Sequence, residues 1–177
     1  MVKIVPAEES LVSPHVNEII DMVEEILIQH DFVDCPLIHL FLPGMYIRKI
    51  LMPANSWVTS MIHKTTHAFT VLKGSVSVEN ENDGFLFLEA GYIGITATGT
   101  RRILCTHDKD VEWVTFHPLP FITGDENYLS LDDQAKVVEG IEDIILECHV
   151  NPRIGGVIKN NVLVKTIDFE NKLKQIQ

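Results

Sequence analysis

Between residues 36 and 120 the chain never stays apolar for long. Short apolar segments follow one another, and turn-forming residues separate them. Strands are expected near Tyr46–Met52, Trp57–His63, His67–Leu72, Ser75–Glu79, Phe85–Glu89, Tyr92–Thr96, Arg101–Thr106 and Val111–His117. The punctuation is Pro43-Gly44, Pro53-Ala54-Asn55, Gly74, Asn82-Asp83-Gly84, Gly91, Gly99 and His107–Asp110. Asp83-Gly84 is a hairpin signal. So many short strands at close, regular spacing leave no room for a long helix and point to a small all-β sandwich or barrel.

The flanks read differently. In residues 1–34, Ser13-Pro14 offers an N-cap and a proline at the first helical position. Val16, Ile19, Ile20, Val23, Ile26 and Leu27 then recur at helical spacing, with Glu18, Asp21, Glu24 and Glu25 on the polar side. This predicts an amphipathic helix of about four turns that lies on something else. In residues 121–177, Ser130-Leu131-Asp132-Asp133 resembles a capping box with Asp in place of Glu. Ala135, Val138, Ile141, Ile145 and Cys148 follow with a helical period, which Asn151-Pro152 and Gly155-Gly156 break. Val157–Val164 reads as one more strand or hairpin turning at Asn160-Asn161, and Asp168–Gln177 as a polar helical tail. The expected organisation is an N-terminal helical segment (1–34), a β-barrel (35–120) and an α/β C-terminal extension (121–177).

A length of 177 residues with 46% apolar and 22% charged residues suits one domain with a real core and excludes disorder over the whole chain. Lys and Arg number 14 against 25 Asp and Glu, a net charge of −11 that stays negative even with all 8 histidines protonated. Such a surface repels phosphate backbones and anionic lipid, so neither nucleic acid nor membrane is an expected partner. No apolar run reaches the roughly 18 residues a membrane span needs. Met1–Glu9 has no basic region followed by an apolar one, so no secretory leader is expected. Cys35, Cys105 and Cys148 form no CxxC pair, which fits a reducing, cytoplasmic setting better than a disulfide framework.

The histidines carry the chemistry. His63 and His67 are four residues apart in a segment whose Thr65 and Thr66 are β-branched and whose flanks are strand-like. On one straight strand the two rings would stand roughly 13 Å apart at about 3.3 Å per residue. A shared metal needs both nitrogens about 2.0–2.1 Å from the ion. A turn at Lys64–Thr66 is therefore required, with His63 ending one strand and His67 beginning the next. Strand parity sorts Trp57, Thr59, Met61 and His63 onto one face, His67, Phe69 and Val71 onto another, and Val111, Trp113, Thr115 and His117 onto a third. If these faces line the barrel, three histidines gather at its mouth.

His63-x3-His67-x6-Gly74 resembles the first motif of the cupin superfamily, in which two histidines precede a glutamate and a glycine. Aligned on Gly74, His63 takes the place of the second histidine, His67 that of the glutamate, and Met61 that of the first histidine. Ala97-Thr98-Gly99-Thr100-Arg101-Arg102 resembles the second motif, with Ala97 for its proline and Arg102 at the usual ligand position. The longer stretches Pro43–Arg48, Ile62–Lys64, Gly99–Arg102 and Trp113–Pro118 resemble a group of small uncharacterised cupin-like proteins of tailed bacteriophages. The resemblance spans about residues 35–120, and a phage protein of this kind would work in the host cytoplasm. It implies a jelly-roll barrel, often dimeric, with a metal in the mouth, and no single reaction.

In a jelly roll the last strand runs antiparallel to the strand that starts at His67, which sets His117 beside His67. The expected metal ligands are His63, His67 and His117, holding a divalent ion such as Zn, Fe, Mn or Ni. His107, in a polar turn, is the weaker alternative for the third ligand. His15, His30, His39 and His149 read as structural or surface residues. Arg101 and Arg102 alternate faces, so one of them points inward and can anchor a carboxylate or phosphate; the plainer role is an ion pair, with Glu112 as the candidate partner. Arg102, Tyr46 and Trp113 are the candidates to contact a small-molecule ligand. The chain has no phosphate-binding glycine loop and no nucleophile elbow. Cys105, on a strand, reads as a buried thiol.

Two function classes remain. One is a metal-dependent enzyme acting on a small molecule, short of a catalytic carboxylate because His67 stands where glutamate usually does. The other is a non-catalytic structural or binding module, in a phage particle or as a phage accessory protein. The helix at 14–30 and the extension after 121 are surplus to a barrel, and a homodimer or larger homo-oligomer is expected to use them.

Overall fold

The computed structural model describes residues 14–80, 84–157 and 163–165. The Ser13 cap, the Asn82-Asp83 turn, the Asn160-Asn161 turn and the 168–177 tail lie outside the described residues, as does the side chain of His15. Helix α1 spans Pro14–Leu27. Ten strands follow: β1 (Leu37–Leu42), β2 (Met45–Met52), β3 (Ser56–Thr59), β4 (Ile62–His63), β5 (His67–Lys73), β6 (Ser75–Asn80), β7 (Gly84–Glu89), β8 (Ile93–Thr96), β9 (Ile103–Thr106) and β10 (Val111–Pro118). Beyond a short 3-10 turn, Asp125–Tyr128, come α2 (Leu131–Ile145), β11 (Leu146–Glu147), β12 (Val150–Asn151), β13 (Gly156–Val157) and β14 (Leu163–Lys165).

Strand order identifies the architecture. One five-stranded sheet runs β1-β2-β10-β5-β8 and the other β14-β3-β9-β6-β7, with antiparallel pairing throughout. Without the edge strands β1 and β14, each position in the first sheet is matched in the second by its neighbour in the chain: β2 with β3, β10 with β9, β5 with β6, β8 with β7. That is the doubled Greek key of a jelly roll. Alternating residues of both sheets fill the space between them: Met52, Phe69, Val71, Val111 and Trp113 from one, Val58, Val76, Val78, Leu88 and Leu104 from the other. Burying each such side chain stabilises by roughly 1.5–3 kcal/mol. Gly74 turns β5 into β6 at φ +78°, and a Cβ there would meet the Asp110 carbonyl oxygen at 2.5 Å, so the tight turn requires glycine.

The elements outside the barrel pack against it. Helix α1 packs Val16, Ile20, Val23 and Leu27 onto Trp57 and Ile103 on the outer face of the second sheet. Beside that contact, Arg101 is buried and paired with Asp21 at 2.7 Å and Glu24 at 2.5 Å. His149 Nε2 lies 3.0 Å from the Asp21 carboxylate, and Asn151 donates to the Asp21 carbonyl and to Glu24. Helix α2 is capped by Ser130, whose hydroxyl oxygen accepts from the Asp133 N–H and whose O–H donates to the Asp133 carboxylate. Its Ile141 and Ile145, with Leu146, pack on Phe41, Tyr46, Leu119 and Ile122 at one end of the barrel.

The architecture is the expected one, with five local differences. Leu37–Leu42 forms a strand that its sequence did not announce: an apolar run with no polar alternation carries no period-2 signal. The expected strand Trp57–His63 is two strands, broken at Ser60–Met61. Trp57 faces out under α1, so it does not belong to an inward stripe with His63. Arg101 pairs with α1, while Glu112 pairs with Lys49 at 3.1 Å. Cys148 lies past the end of α2 and is exposed.

Candidate functional site

Three strands bring the histidines together. His63 is the last residue of β4, and its N–H donates to the Thr100 carbonyl at 2.9 Å. The chain bends over Lys64–Thr66 and re-enters the first sheet at His67. In the β10–β5 register Phe116 faces Ala68, so the next residue of β10, His117, comes alongside His67. Ring centroids are 4.6 Å apart for His63 and His67 and 4.3 Å for His67 and His117. His63 reaches this face despite the wrong parity of Trp57, because the break at Ser60–Met61 resets the alternation; Ser60 and Met61 both line the interior.

The surroundings make these rings neutral. Burial holds His63 well below the usual histidine range, and His67, His117, Arg102 and Arg48 add to the shift. Burial also lowers His67, against the opposing effect of its bond to the Thr65 carbonyl; Arg102 and Arg48 lower it further. Burial, then His67 and Arg48, push His117 down to about 3. Each is therefore a neutral imidazole near pH 7, the form that binds a metal.

Hydrogen bonds define the nitrogens further. His67 Nδ1 donates to the Thr65 carbonyl at 3.1 Å, since a carbonyl can only accept. That places the proton on Nδ1 and leaves Nε2 with a lone pair, the arrangement by which a backbone carbonyl orients a metal-binding histidine. His117 Nε2 lies 3.0 Å from the Thr115 hydroxyl. Among the described residues the Nδ1 atoms of His63 and His117 are buried without a hydrogen-bond partner, and buried polar atoms in that state call for an explanation such as an ion. Three neutral nitrogen donors suit a divalent transition metal. As they stand, no three His, Cys, Asp or Glu side chains among the described residues are arranged to hold a metal ion.

A cavity opens beside the cluster. Arg48, Ser60, His63, His67, Arg102 and Trp113 line it, with Ile50, Met52, Val58 and Leu104 as its apolar floor. Counted as positions open to the centre of a water molecule, its volume is about 50 Å³, room for a few waters at roughly 10–15 Å³ each. Leu146 closes one side, because β11 pairs with β4 and sets Leu146 opposite His63. Two bonds from Lys64, its N–H to the Ile145 carbonyl and its Nζ to the Asp143 carbonyl, tie α2 to the same rim.

Of the expected ligand-contacting residues, Arg102 and Trp113 line the cavity and Tyr46 does not. Tyr46 is fully buried below it, bonded through its hydroxyl to His39 Nδ1 at 2.6 Å and in ring contact with His117 at 5.9 Å. His107 is engaged elsewhere, bonded to Ser77 at 3.0 Å and against the Phe87 ring. The unanticipated residue is Arg48. Its signal was the inward alternation Tyr46, Arg48, Ile50, Met52 along β2.

No family model and no curated protein matches this chain. Among solved structures it is similar to the cupin-2 domain of an XRE family transcriptional regulator from Enterobacter cloacae, at 11% identity and TM-score 0.41 over 46% of this chain and 93% of that one. It is also similar to a cupin-2 domain containing protein from Shewanella frigidimarina, at 13% identity and TM-score 0.39 over 57% and 95% of the two chains. A third is an uncharacterized conserved protein with a double-stranded beta-helix domain from Klebsiella pneumoniae, at 13% identity and TM-score 0.41 over 55% and 86%. At these values the likeness carries no argument of its own; the jelly-roll assignment stands on the strand order.

Proposed function

We propose that this chain is a metal-binding cupin-like protein. His63, His67 and His117 hold one divalent ion, Zn, Fe(II), Mn or Ni, and the adjoining cavity takes a small molecule. The observation that supports the reading most is the contact of three histidines from three strands, kept neutral by burial, with two ring nitrogens buried and unpartnered. The χ2 torsion of histidine is broad, so the rings can turn toward a common ion without moving the strands. When bound, the ion would supply Lewis acidity next to the cavity.

One observation favours the second reading, a non-catalytic binding module that includes the phage accessory role suggested by the motifs. Among the described residues no Asp or Glu lines the cavity, so none of them supplies a carboxylate there for proton transfer. Self-association belongs to the same proposal. Leu40, Leu42, Leu72 and Ile93 share the outer face of the first sheet and are exposed, an apolar surface that a second copy would cover.

The test of the metal reading is titration of chelator-stripped protein with Zn(II), Mn(II), Fe(II) and Ni(II) in a calorimeter. Saturation by at least one of them at one equivalent is expected. Absence of saturable binding by all four would contradict it.

A further inference from the structure

Thr115 and His117 lie two residues apart on β10 and so share one face of the strand. The Thr115 hydroxyl oxygen is 3.0 Å from His117 Nε2 and 3.4 Å from the carbonyl oxygen of Arg48, the residue opposite Thr115 in the β10–β2 register. A hydroxyl has one proton to give and two lone pairs with which to accept. The Arg48 carbonyl can only accept, so the hydroxyl proton goes there. The hydroxyl oxygen is then left to accept from the imidazole. That requires the single proton of the neutral His117 ring on Nε2 and leaves a lone pair on Nδ1.

The opposite tautomer is disfavoured on a second count. It would put the N–H on Nδ1, which is buried with no hydrogen-bond partner among the described residues. A buried N–H without an acceptor is rarer than an under-used acceptor and costs the full desolvation of the donor. Tyr46 is in ring contact with His117 at 5.9 Å, but its hydroxyl goes to His39 Nδ1 at 2.6 Å. His67 is set the other way: its Nδ1 donates to the Thr65 carbonyl, which leaves Nε2 with the lone pair. Two rings 4.3 Å apart are thus held as different tautomers, one by a backbone carbonyl and the other by a side-chain hydroxyl. The hydroxyl is the partner that a substitution can remove.

We propose that Thr115 is a positioning residue of the histidine cluster: its hydroxyl holds His117 in the Nε2–H form, so that His117 offers Nδ1 to a metal ion while His67 offers Nε2. The assignment of donor atoms rests on the metal reading above. The tautomer does not, and the metal-free protein tests it alone. An outer partner of this kind fixes which nitrogen of a ligating histidine is free, and its loss typically weakens metal binding roughly 10–100-fold.

The experiment is long-range proton–nitrogen correlation NMR on the isotope-labelled, chelator-stripped full chain near neutral pH, with ring signals assigned by their absence in H67A and H117A. The cross-peak pattern distinguishes the two neutral tautomers. Wild type should show Nε2–H for His117 and Nδ1–H for His67. T115V, which replaces the hydroxyl by a methyl, should turn the His117 pattern into a mixture and leave that of His67 unchanged, and T115S should restore it. A merely structural role for Thr115 would not move the tautomer. On addition of Zn(II) the His117 Nδ1 signal should shift, and calorimetry should show binding weakened roughly 10–100-fold in T115V and close to wild type in T115S. Should T115V fail to fold, the wild-type spectrum decides. An Nδ1–H pattern for His117 in metal-free wild type, an unaltered pattern in T115V, or a Zn(II)-induced shift at His117 Nε2 in place of Nδ1 would each overturn the proposal. Absence of binding by Zn(II), Mn(II), Fe(II) and Ni(II), with the Nε2–H pattern present, would remove the metal reading and leave the hold of Thr115 on His117 standing.

Discussion

The rings of His67 and His117 lie 4.3 Å apart, tilted by 31°, although the two residues are far apart in the sequence. The cause is the β10–β5 register, which carries Phe116 opposite Ala68 and hence the end of one strand beside the start of the other. His63 joins them through a bend of three residues. The cluster is thus a product of topology, and its chemistry depends on three neutral rings held close in a poorly solvated place.

That arrangement predicts a pH dependence in metal-free protein. All three pKa values are depressed relative to the unfolded value near 6.5. Below pH 6.5 the unfolded chain therefore binds protons that the folded chain does not, and stability falls as pH falls. For His117 the loss runs from about pH 6.5 down to its folded value of about 3, at roughly 1.4 kcal/mol per pH unit. Between pH 6.5 and 5 most carboxylates stay ionised, so this window isolates the histidines. Urea unfolding of chelator-stripped protein at pH 7, 6 and 5 should show the decline, and His117→Phe should flatten it. Equal slopes in the two proteins would refute the assignment.

The buried ion cluster beneath α1 predicts a large stability effect. Arg101→Met removes the cation and leaves Asp21 and Glu24 buried within the fold. Breaking a buried pair in this way costs about 3–5 kcal/mol. The exposed pair Lys136–Asp133 is the internal control, since Lys136→Ala should leave stability almost unchanged. Denaturant midpoints that move equally in both variants would contradict the role given to Arg101.

A third prediction concerns the cavity wall. A Cβ at Gly94 would stand 2.5 Å from the Phe69 ring. Phe69 supports both Trp113 and Arg102. Gly94→Ala should therefore push the ring and cost about 1–3 kcal/mol as overpacking, with a shift in tryptophan emission. Unchanged emission and stability would show that the stack does not govern this wall.

Much of the barrel was legible because turns punctuate it: Gly74, Gly91 and Gly99 separate strands that fall close to their expected limits. The His67–His117 contact followed from the jelly-roll strand order that the cupin resemblance implied, in which the last strand runs antiparallel to the one starting at His67. What stayed hidden has physical causes. Strict alternation assigned Trp57 and His63 to one stripe, but a break in regular pairing at Ser60–Met61 shifts the phase, and sequence parity does not register such breaks. The alternation of Arg101 and Arg102 showed that one points inward without showing which. Helix α1 decides it by presenting Asp21 and Glu24 to Arg101, a long-range contact that no local pattern encodes.

The central claim is that three histidines hold one metal ion. Elemental analysis of protein reloaded with metal and desalted, in wild type and in His63→Ala, His67→Ala and His117→Ala, tests it most directly. The account predicts about one equivalent of a divalent metal in wild type and its loss from all three variants, with the β-rich circular dichroism spectrum retained because the barrel core is separate from the cluster. Wild type that carries no metal after exposure to Zn, Mn, Fe(II) and Ni, or a His117→Ala protein that retains a full equivalent, would contradict it.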